Sequence, residues 1–194
     1  MKTIMQQAFS EGIALRQLCA TKLAGPLENA AGIMISCLQH GGKILVCGNG
    51  GSAADAQHFA GELVNRFEID RPGLASIALT SDASVITSIA NDSAYEEVFA
   101  RQVEALGCKG DVLLAISTSG NSANVNRAVT VAGEKGMQVI ALTGKNGGEL
   151  ATHPAVNTLL NIPHTSTPRI QELHITCLHI LCSLIDHQLY GEAS

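Results

Sequence analysis

The chain has few charged residues: Asp, Glu, Lys and Arg make up 15% of its 194 residues, whereas hydrophobic residues make up 46%. A composition this poor in charge is typical of a protein whose apolar faces are covered by other subunits, so we expect a homo-oligomer. The net charge of −5 is not offset by any block of basic residues. Direct binding to nucleic acid is therefore not expected.

Membrane and disulfide signals are also missing. No apolar run approaches the length needed to cross a bilayer, and residues 1–16 lack the continuous apolar stretch of a secretion signal. The six cysteines form no CxxC pair and have no disulfide-rich spacing, which argues against a disulfide scaffold or a cysteine-based zinc site. We expect a cytoplasmic protein with no membrane partner, whose thiols are free and mostly buried.

The length suits a single domain, and no repeat, low-complexity tract or linker divides residues 1–194. Apolar positions recur at helical spacing over the first forty residues, which predicts two helices separated at Pro26. We expect this N-terminal segment, 1–40, to take part in oligomer packing. Residues 43–190 would then form an α/β core and a long C-terminal helix.

Apolar strands alternate with helices through this core. The predicted strands cover 43–47, 75–80, 111–117, 138–143 and 156–162. The predicted helices cover 53–66, 84–89, 96–106, 121–135 and 169–189, the last with apolar residues on all sides. Continuous apolar strands joined by helices predict a three-layer α/β fold, with a five-stranded parallel sheet flanked by helices on both faces.

Two small-residue loops follow predicted strands, where ligands bind in doubly wound sheets. The first loop, 48–52, matches neither the GxGxxG nor the Walker A pattern, which disfavours a nucleotide site. The second loop carries four hydroxyl groups directly before a helix, on Ser117, Thr118, Ser119 and Ser122. Such a loop can bind a phosphate through hydroxyls and free amides. The alternative is a simple helix N-cap, for which one hydroxyl suffices.

His58 and Glu62 stand four residues apart on the helix after the first loop, so their side chains lie on one face and could share a metal ion. The alternative is an ordinary exposed helix pair, which is common at this spacing. On the C-terminal helix, spacing does not select among Gln171, Glu172, His174, His179 and His187.

Several segments together resemble the SIS (sugar isomerase) domain family, and within it the phosphoheptose isomerases. They are CGNGGS at 47–52, HFAGE at 58–62, AND at 90–92, DVLLAISTSGNS at 111–122, LTG at 142–144 and RIQELH at 169–174. The resemblance covers nearly the whole chain and implies an SIS-type fold. It also implies conversion of sedoheptulose 7-phosphate to D-glycero-D-manno-heptose 7-phosphate through an enediol, the first step of ADP-heptose supply for lipopolysaccharide core. The family further suggests a homotetramer with sites at subunit interfaces.

The resemblance also implies which residues form the site. One zinc ion per subunit would be held by His58, Glu62, Gln171 and His179, with Glu62 as catalytic base and His179 as acid. A phosphorylated seven-carbon sugar would be bound by Asn49, Gly50, Gly51, Ser52, Glu62, Asn91, Asp92, Ser117, Thr118, Ser119, Ser122 and Gln171. One departure is Pro168, where some family members have an aspartate that contacts the sugar. His174, nearer to Gln171 than His179 is, is expected to be packed or hydrogen-bonded instead.

Three other functions remain as alternatives. A non-catalytic SIS relative binds the replication initiator, but in that relative the positions of Glu62 and His179 are changed, whereas both residues are present here. A sugar-phosphate-sensing module would use the same phosphate loop without proton transfer. Another SIS isomerase could act on a different ketose, because chain-length selection depends on cavity shape.

Overall fold

The computed structural model describes residues 1–191 and contains seven α-helices, five strands and two short 3₁₀ helices. The helices are α1 Lys2–Lys22, α2 Ala24–Gln39, α3 Gly51–Val64, α4 Ala83–Asp92, α5 Ala100–Leu106, α6 Ala123–Glu134 and α7 Thr167–Tyr190. The strands are β1 Ile44–Gly48, β2 Ser76–Ala78, β3 Val112–Ser117, β4 Gln138–Gly144 and β5 Thr158–Ile162. The 3₁₀ helices are η1 Tyr95–Glu97 and η2 Glu149–Thr152.

The five strands form one parallel sheet in the order β2-β1-β3-β4-β5. Every residue of β1 and β3 is buried, as expected for strands that are covered by helices on both faces. The predicted three-layer α/β fold with five parallel strands is confirmed. No helix within residues 1–191 is long and apolar enough to cross a membrane.

Alternate strand residues point into two separate cores. Ile44 and Leu114 face a core that is shared with α1, α2, α3 and α7, whereas Leu45 and Leu113 face a core shared with α5 and α6. This alternation is the pleat of the sheet, whose successive side chains point to opposite faces. Both cores are needed because a strand in the middle of a parallel sheet has no solvent face.

The prediction that Pro26 separates the first two helices is wrong. The break is at Leu23, and Pro26 is the third residue of α2. Proline has no backbone N–H to donate to Lys22, so α1 cannot continue through it. In the first turn of a new helix that missing N–H has no intrahelical partner to lose, so Pro26 is tolerated there.

The predicted helix over 96–106 is also wrong in detail, since it is divided into η1 and α5 at Val98 and Phe99, both of which are buried. The expectation for the cysteines is confirmed: all six are free and all but Cys108 are buried. Burial raises the pKa of the Cys47 thiol to about 12, so this thiol is neutral at physiological pH.

Helices α3 and α7 pack side by side and run in the same direction. Near their starts, Gly51 of α3 lies against the amide of Gln171 of α7. Further along, His58 contacts His179. The predicted long C-terminal helix is confirmed as a core element, and the two helices bring residues more than a hundred positions apart into one groove.

Candidate active site

The two small-residue loops meet at the carboxyl edge of the sheet. Strand β1 ends at Gly48, which lies opposite Ile116 of β3 in the sheet register. The strand order changes direction between these two strands: β2 lies on one side of β1, whereas β3, β4 and β5 follow on the other side. Such a switch point opens a crevice at the strand ends, where ligands bind in this class of fold.

A pair of asparagine amides joins the two loops. Asn49 Nδ2 donates to Asn124 Oδ1 and Asn124 Nδ2 donates to Asn49 Oδ1, each at 2.8 Å. Gly50 follows with φ +57°, a conformation that favours glycine, and it caps the start of α3. Asn124 was not among the predicted site residues. Its position two residues after Ser122, in the first turn of α6, was the available signal.

The serine-rich loop is held in shape by its own hydroxyls. Ser117 Oγ lies 2.9 Å from Ser122 Oγ and accepts the backbone N–H of Gly120 at 3.1 Å. Ser119 Oγ accepts the backbone N–H of Asn121 at 3.1 Å. Ser122 stands at the N-cap position of α6, but its side chain makes no capping hydrogen bond. The N-cap alternative therefore does not explain its hydroxyl, and the first turn of α6 keeps donors for an anion.

The segment 147–150, which follows β4, packs against the serine-rich loop. Gly120 has φ +69°, and a Cβ at this position would collide with the carbonyl oxygen of Gly147. Asn121 Oδ1 accepts the backbone N–H of Glu149 at 2.9 Å, and Gly120 O accepts that of Leu150 at 3.1 Å. These contacts fix where the loop hydroxyls point, since the backbone on both sides is hydrogen-bonded.

Three predicted site residues converge in the groove between α3 and α7. His58 Nε2 lies 2.8 Å from Glu62 Oε1 and 3.5 Å from His179 Nε2. The two imidazole rings meet edge to face with centroids 5.1 Å apart, and the Phe67 ring centroid lies 5.4 Å from that of His179. The His58 side chain is 46% exposed and that of Glu62 25%, so a ligand can reach the cluster from solvent.

The fourth predicted zinc ligand lies elsewhere. The amide of Gln171 lies against Gly51, at the start of α3, about 10 Å along the helix from His58 at 1.5 Å per residue. Within residues 1–191, no set of three or more His, Cys, Asp or Glu side chains surrounds a point that a metal ion could occupy. Instead, His58 Nε2 faces both Glu62 Oε1 and His179 Nε2. Chemically the set fits zinc, because imidazole nitrogens and a carboxylate oxygen are ligands that zinc takes.

His174 has the structural role expected of it. The residue is fully buried, and its Nε2 lies 3.0 Å from the carbonyl oxygen of Thr143, to which it donates. Burial lowers the pKa of His174 to about 4. The histidine is thus neutral, and it joins α7 to β4 without contacting the cluster.

Asp55 is a residue that the sequence reasoning missed. It lies on α3 one turn before His58, and its Oδ2 is buried without a hydrogen-bond partner. Burial raises the pKa of this carboxyl group, and the nearby His58 opposes the shift. The helical spacing of three residues from His58 was the signal that could have identified it.

Asn91 and Asp92 end helix α4, where both are exposed. Asn91 Nδ2 donates to Asp92 Oδ1 at 2.7 Å. Tyr95 connects this segment to the crevice, since its hydroxyl donates to Asn49 Oδ1 at 3.2 Å. Tyr95 was not among the predicted site residues. The remaining predicted residues lie where the loops place them: Ser52 is buried in the first turn of α3 and Thr118 is half-buried.

The chain resembles known proteins over most of its length. Residues 9–144 match the family model of the SIS domain. It is similar to the phosphoheptose isomerase of Alkalilimnicola ehrlichii, 54% identical over 188 residues that cover 96% of both chains. That of Thiobacillus denitrificans is 59% identical over 173 residues, which cover 89% of this chain and 88% of the relative. The solved phosphoheptose isomerase of Neisseria gonorrhoeae superposes with a TM-score of 0.90 at 49% identity, over 95% of this chain and 98% of the other.

Proposed function

The chain belongs to the SIS domain family, and we propose that it is an aldose–ketose isomerase that converts sedoheptulose 7-phosphate to D-glycero-D-manno-heptose 7-phosphate. The observation that carries the proposal is the contact of His58 with both Glu62 and His179, on the helix α3 that begins at the switch-point crevice. Near full-length similarity to proteins named phosphoheptose isomerase supports this choice of substrate. The non-catalytic alternative has no use for a carboxylate and two imidazoles in contact.

The reaction moves a proton between two adjacent carbons through an enediol. It needs a base close to those carbons and a donor for the oxygens, which change between carbonyl and hydroxyl. Glu62 is the base in our proposal, since its carboxylate is partly exposed at the groove. His179 is the acid, because its imidazole faces the same groove from α7. His58 lies between them and orients both.

The phosphate would be bound away from the reacting carbons. The serine-rich loop and the first turn of α6 offer hydroxyls and backbone N–H groups without a cation, an arrangement that suits a phosphate. Asn49, Gly50 and Gly51 line the crevice between this loop and the cluster. A sugar bound along this line would have its phosphate at α6 and its carbonyl end at the α3/α7 groove.

We also propose that His58, Glu62, Gln171 and His179 hold one zinc ion when the enzyme is loaded. Zinc would supply Lewis-acid polarisation of the carbonyl and enediol oxygens. To join the other three ligands, Gln171 has to leave its place against Gly51. An amide is a weaker zinc ligand than imidazole or carboxylate, which agrees with an exchangeable ion.

The broader setting is proposed on the same grounds. The product fits a role in ADP-heptose supply for lipopolysaccharide core, carried out in the cytoplasm. A homotetramer with sites at subunit interfaces is supported by the exposed apolar side chains of α1, among them Ile4, Phe9 and Ile13, which resemble an uncovered interface.

The test is turnover of sedoheptulose 7-phosphate by the purified chain with added zinc. Glu62→Gln and His179→Ala should each lower kcat by at least about 100-fold, the usual contribution of a positioned acid or base. Glu68→Gln and His187→Gln change exposed residues of the same types and serve as controls.

Each negative result has its own meaning. If the wild-type chain shows no turnover with zinc, the enzymatic proposal fails and the non-catalytic SIS alternative gains. If turnover survives Glu62→Gln unchanged, the isomerase stands but Glu62 is not its base. Zinc content of the purified variants, measured by mass spectrometry, tests the ligand set independently of activity.

A further inference from the structure

Tyr95 is an exposed aromatic residue that reaches the crevice. It lies in η1, three residues after the end of α4, and it is 57% exposed. Its hydroxyl donates to Asn49 Oδ1 at 3.2 Å. The chain has only two tyrosines, and the other, Tyr190, is the last residue of α7.

The hydrogen bonds of Asn49 leave only one group for a ligand. A side-chain amide has two lone pairs on its oxygen and two N–H donors. The oxygen of Asn49 accepts from both Asn124 and Tyr95. One N–H donates to Asn124 Oδ1. The second N–H is therefore the only unused polar group of this amide, and both lone pairs are occupied.

We propose that Tyr95 is a positioning residue for the substrate: by occupying the second lone pair of Asn49 Oδ1, it makes Asn49 a donor toward the bound sugar phosphate. Asn49 then selects an oxygen that accepts a hydrogen bond, and it does not bind a ligand N–H or O–H through its own oxygen. The inference rests on the proposed function, in which the crevice beside Asn49 receives the sugar.

The fold does not require the Tyr95 hydroxyl. Asn124 is 3% exposed, so its amide does need partners, but Asn49 alone satisfies both its oxygen and one N–H. The Tyr95 ring stands mostly in solvent, where loss of a hydroxyl leaves no buried group unpaired. A change confined to this hydroxyl should thus act on ligand binding and not on stability.

The first experiment compares Tyr95→Phe with Tyr190→Phe in steady-state kinetics with sedoheptulose 7-phosphate. Tyr95→Phe should raise KM about threefold with kcat unchanged, because the lost interaction positions the substrate equally before and during reaction. Tyr190→Phe should leave both constants unchanged. Equal KM values for wild type and Tyr95→Phe would overturn the inference, whereas absence of wild-type turnover would instead reject the proposed function.

A double-mutant cycle tests whether Tyr95 acts through Asn49. In an Asn49→Ala background, Tyr95→Phe should have almost no further effect on KM, since its partner is gone. If the same threefold increase appears there, Tyr95 acts on the sugar by itself and the positioning role is wrong. Thermal melts of all four proteins check that the comparison concerns folded enzymes.

A further measurement needs no substrate at all. The side-chain NH₂ signals of Asn49 in a ¹⁵N-labelled protein should shift in Tyr95→Phe, because the amide oxygen loses a donor, and remain as in wild type in Tyr190→Phe. Unchanged Asn49 signals in Tyr95→Phe would contradict the hydrogen bond itself. This result does not depend on which sugar the enzyme accepts.

Discussion

Arg71 and Asp186 form an ion pair inside the protein, with Arg71 Nε 2.6 Å from Asp186 Oδ1. The Arg71 side chain is fully buried. Its other nitrogens donate to the carbonyl oxygens of Glu62 and Leu63, both at 2.8 Å. A single guanidinium therefore ties the last turn of α3, which carries Glu62, to helix α7.

Replacing Arg71 by leucine should destabilise the protein by about 3–5 kcal/mol, because Asp186 would be left in the interior without its charge partner. The carbonyl groups at the end of α3 would lose their donors as well. Urea unfolding followed by circular dichroism measures this difference. Arg101→Leu is the matched control, since its ion pair with Glu104 is exposed and should contribute less than about 1 kcal/mol. Equal midpoints for the two variants would contradict the assigned role.

The buried His174 should make the free energy of unfolding depend on pH. Burial lowers its pKa to about 4 in the folded protein, whereas an unfolded histidine has a pKa of about 6.5. The unfolded chain therefore binds the proton first, and stability is lost as pH falls from about 6.5 towards 4. The loss should reach about 2 kcal/mol at pH 5, at 1.4 kcal/mol per pH unit below 6.5.

Urea midpoints at pH 7.5 and pH 5 measure this dependence. His174→Gln keeps a donor for the Thr143 carbonyl and cannot titrate, so its midpoint should change less between the two pH values than that of wild type. His187→Gln, an exposed change on the same helix, should retain the wild-type dependence. If His174→Gln and wild type lose the same stability at pH 5, other groups account for the acid sensitivity.

Much of the fold could be predicted because it rests on local patterns. The apolar runs at β1 and β3 are long enough to identify buried strands, and buried parallel strands need helical crossovers. The predicted break between the first two helices was misplaced because a proline such as Pro26 occurs at two different positions relative to helices. It can end a helix or stand in the first turn of the next, and the sequence pattern does not distinguish these.

Without the family resemblance, which places His58, Glu62, Gln171 and His179 together, local patterns predict the site only where its residues are close in sequence. His58 and Glu62 share a face through the geometry of one helix. The contact of His58 with His179 depends on α3 and α7 packing in parallel, which no local pattern shows. The same is true of Asn49 with Asn124, 75 residues apart, and of Arg71 with Asp186, 115 residues apart.

Replacing Gly51 by alanine should change activity without changing stability. A Cβ at Gly51 would collide with the amide of Gln171, which is the flexible end of a side chain and can move. Gly51→Ala should therefore leave the free energy of unfolding, measured in urea, within about 1 kcal/mol of the wild-type value. It should lower kcat/KM about tenfold or more, because the added methyl group occupies space in the crevice where the sugar is proposed to bind beside Gly51.

Gly61→Ala is the control on the same helix. Within residues 1–191, and apart from the backbone of α3 and the neighbours of Gly61 in the chain, no atom lies within 4 Å of a Cβ at Gly61. Alanine should therefore stabilise α3 by about 0.5–1 kcal/mol through helix propensity. The prediction for Gly51 is contradicted if Gly51→Ala retains wild-type kcat/KM, which would mean that the sugar does not bind against Gly51.

Phe9 tests the proposed assembly. It is 76% exposed on α1, near Ile13 at 58%, and such apolar surface normally lies against another chain. Phe9→Glu would place a charge in that contact, so sedimentation should show a smaller species than wild type, with an unchanged circular dichroism spectrum. Gln17→Glu introduces the same charge at an exposed polar position of α1 and should leave the assembly intact. If the wild-type chain sediments as a monomer at micromolar concentration, the exposed face of α1 is not a subunit interface, and sites shared between subunits are ruled out with it.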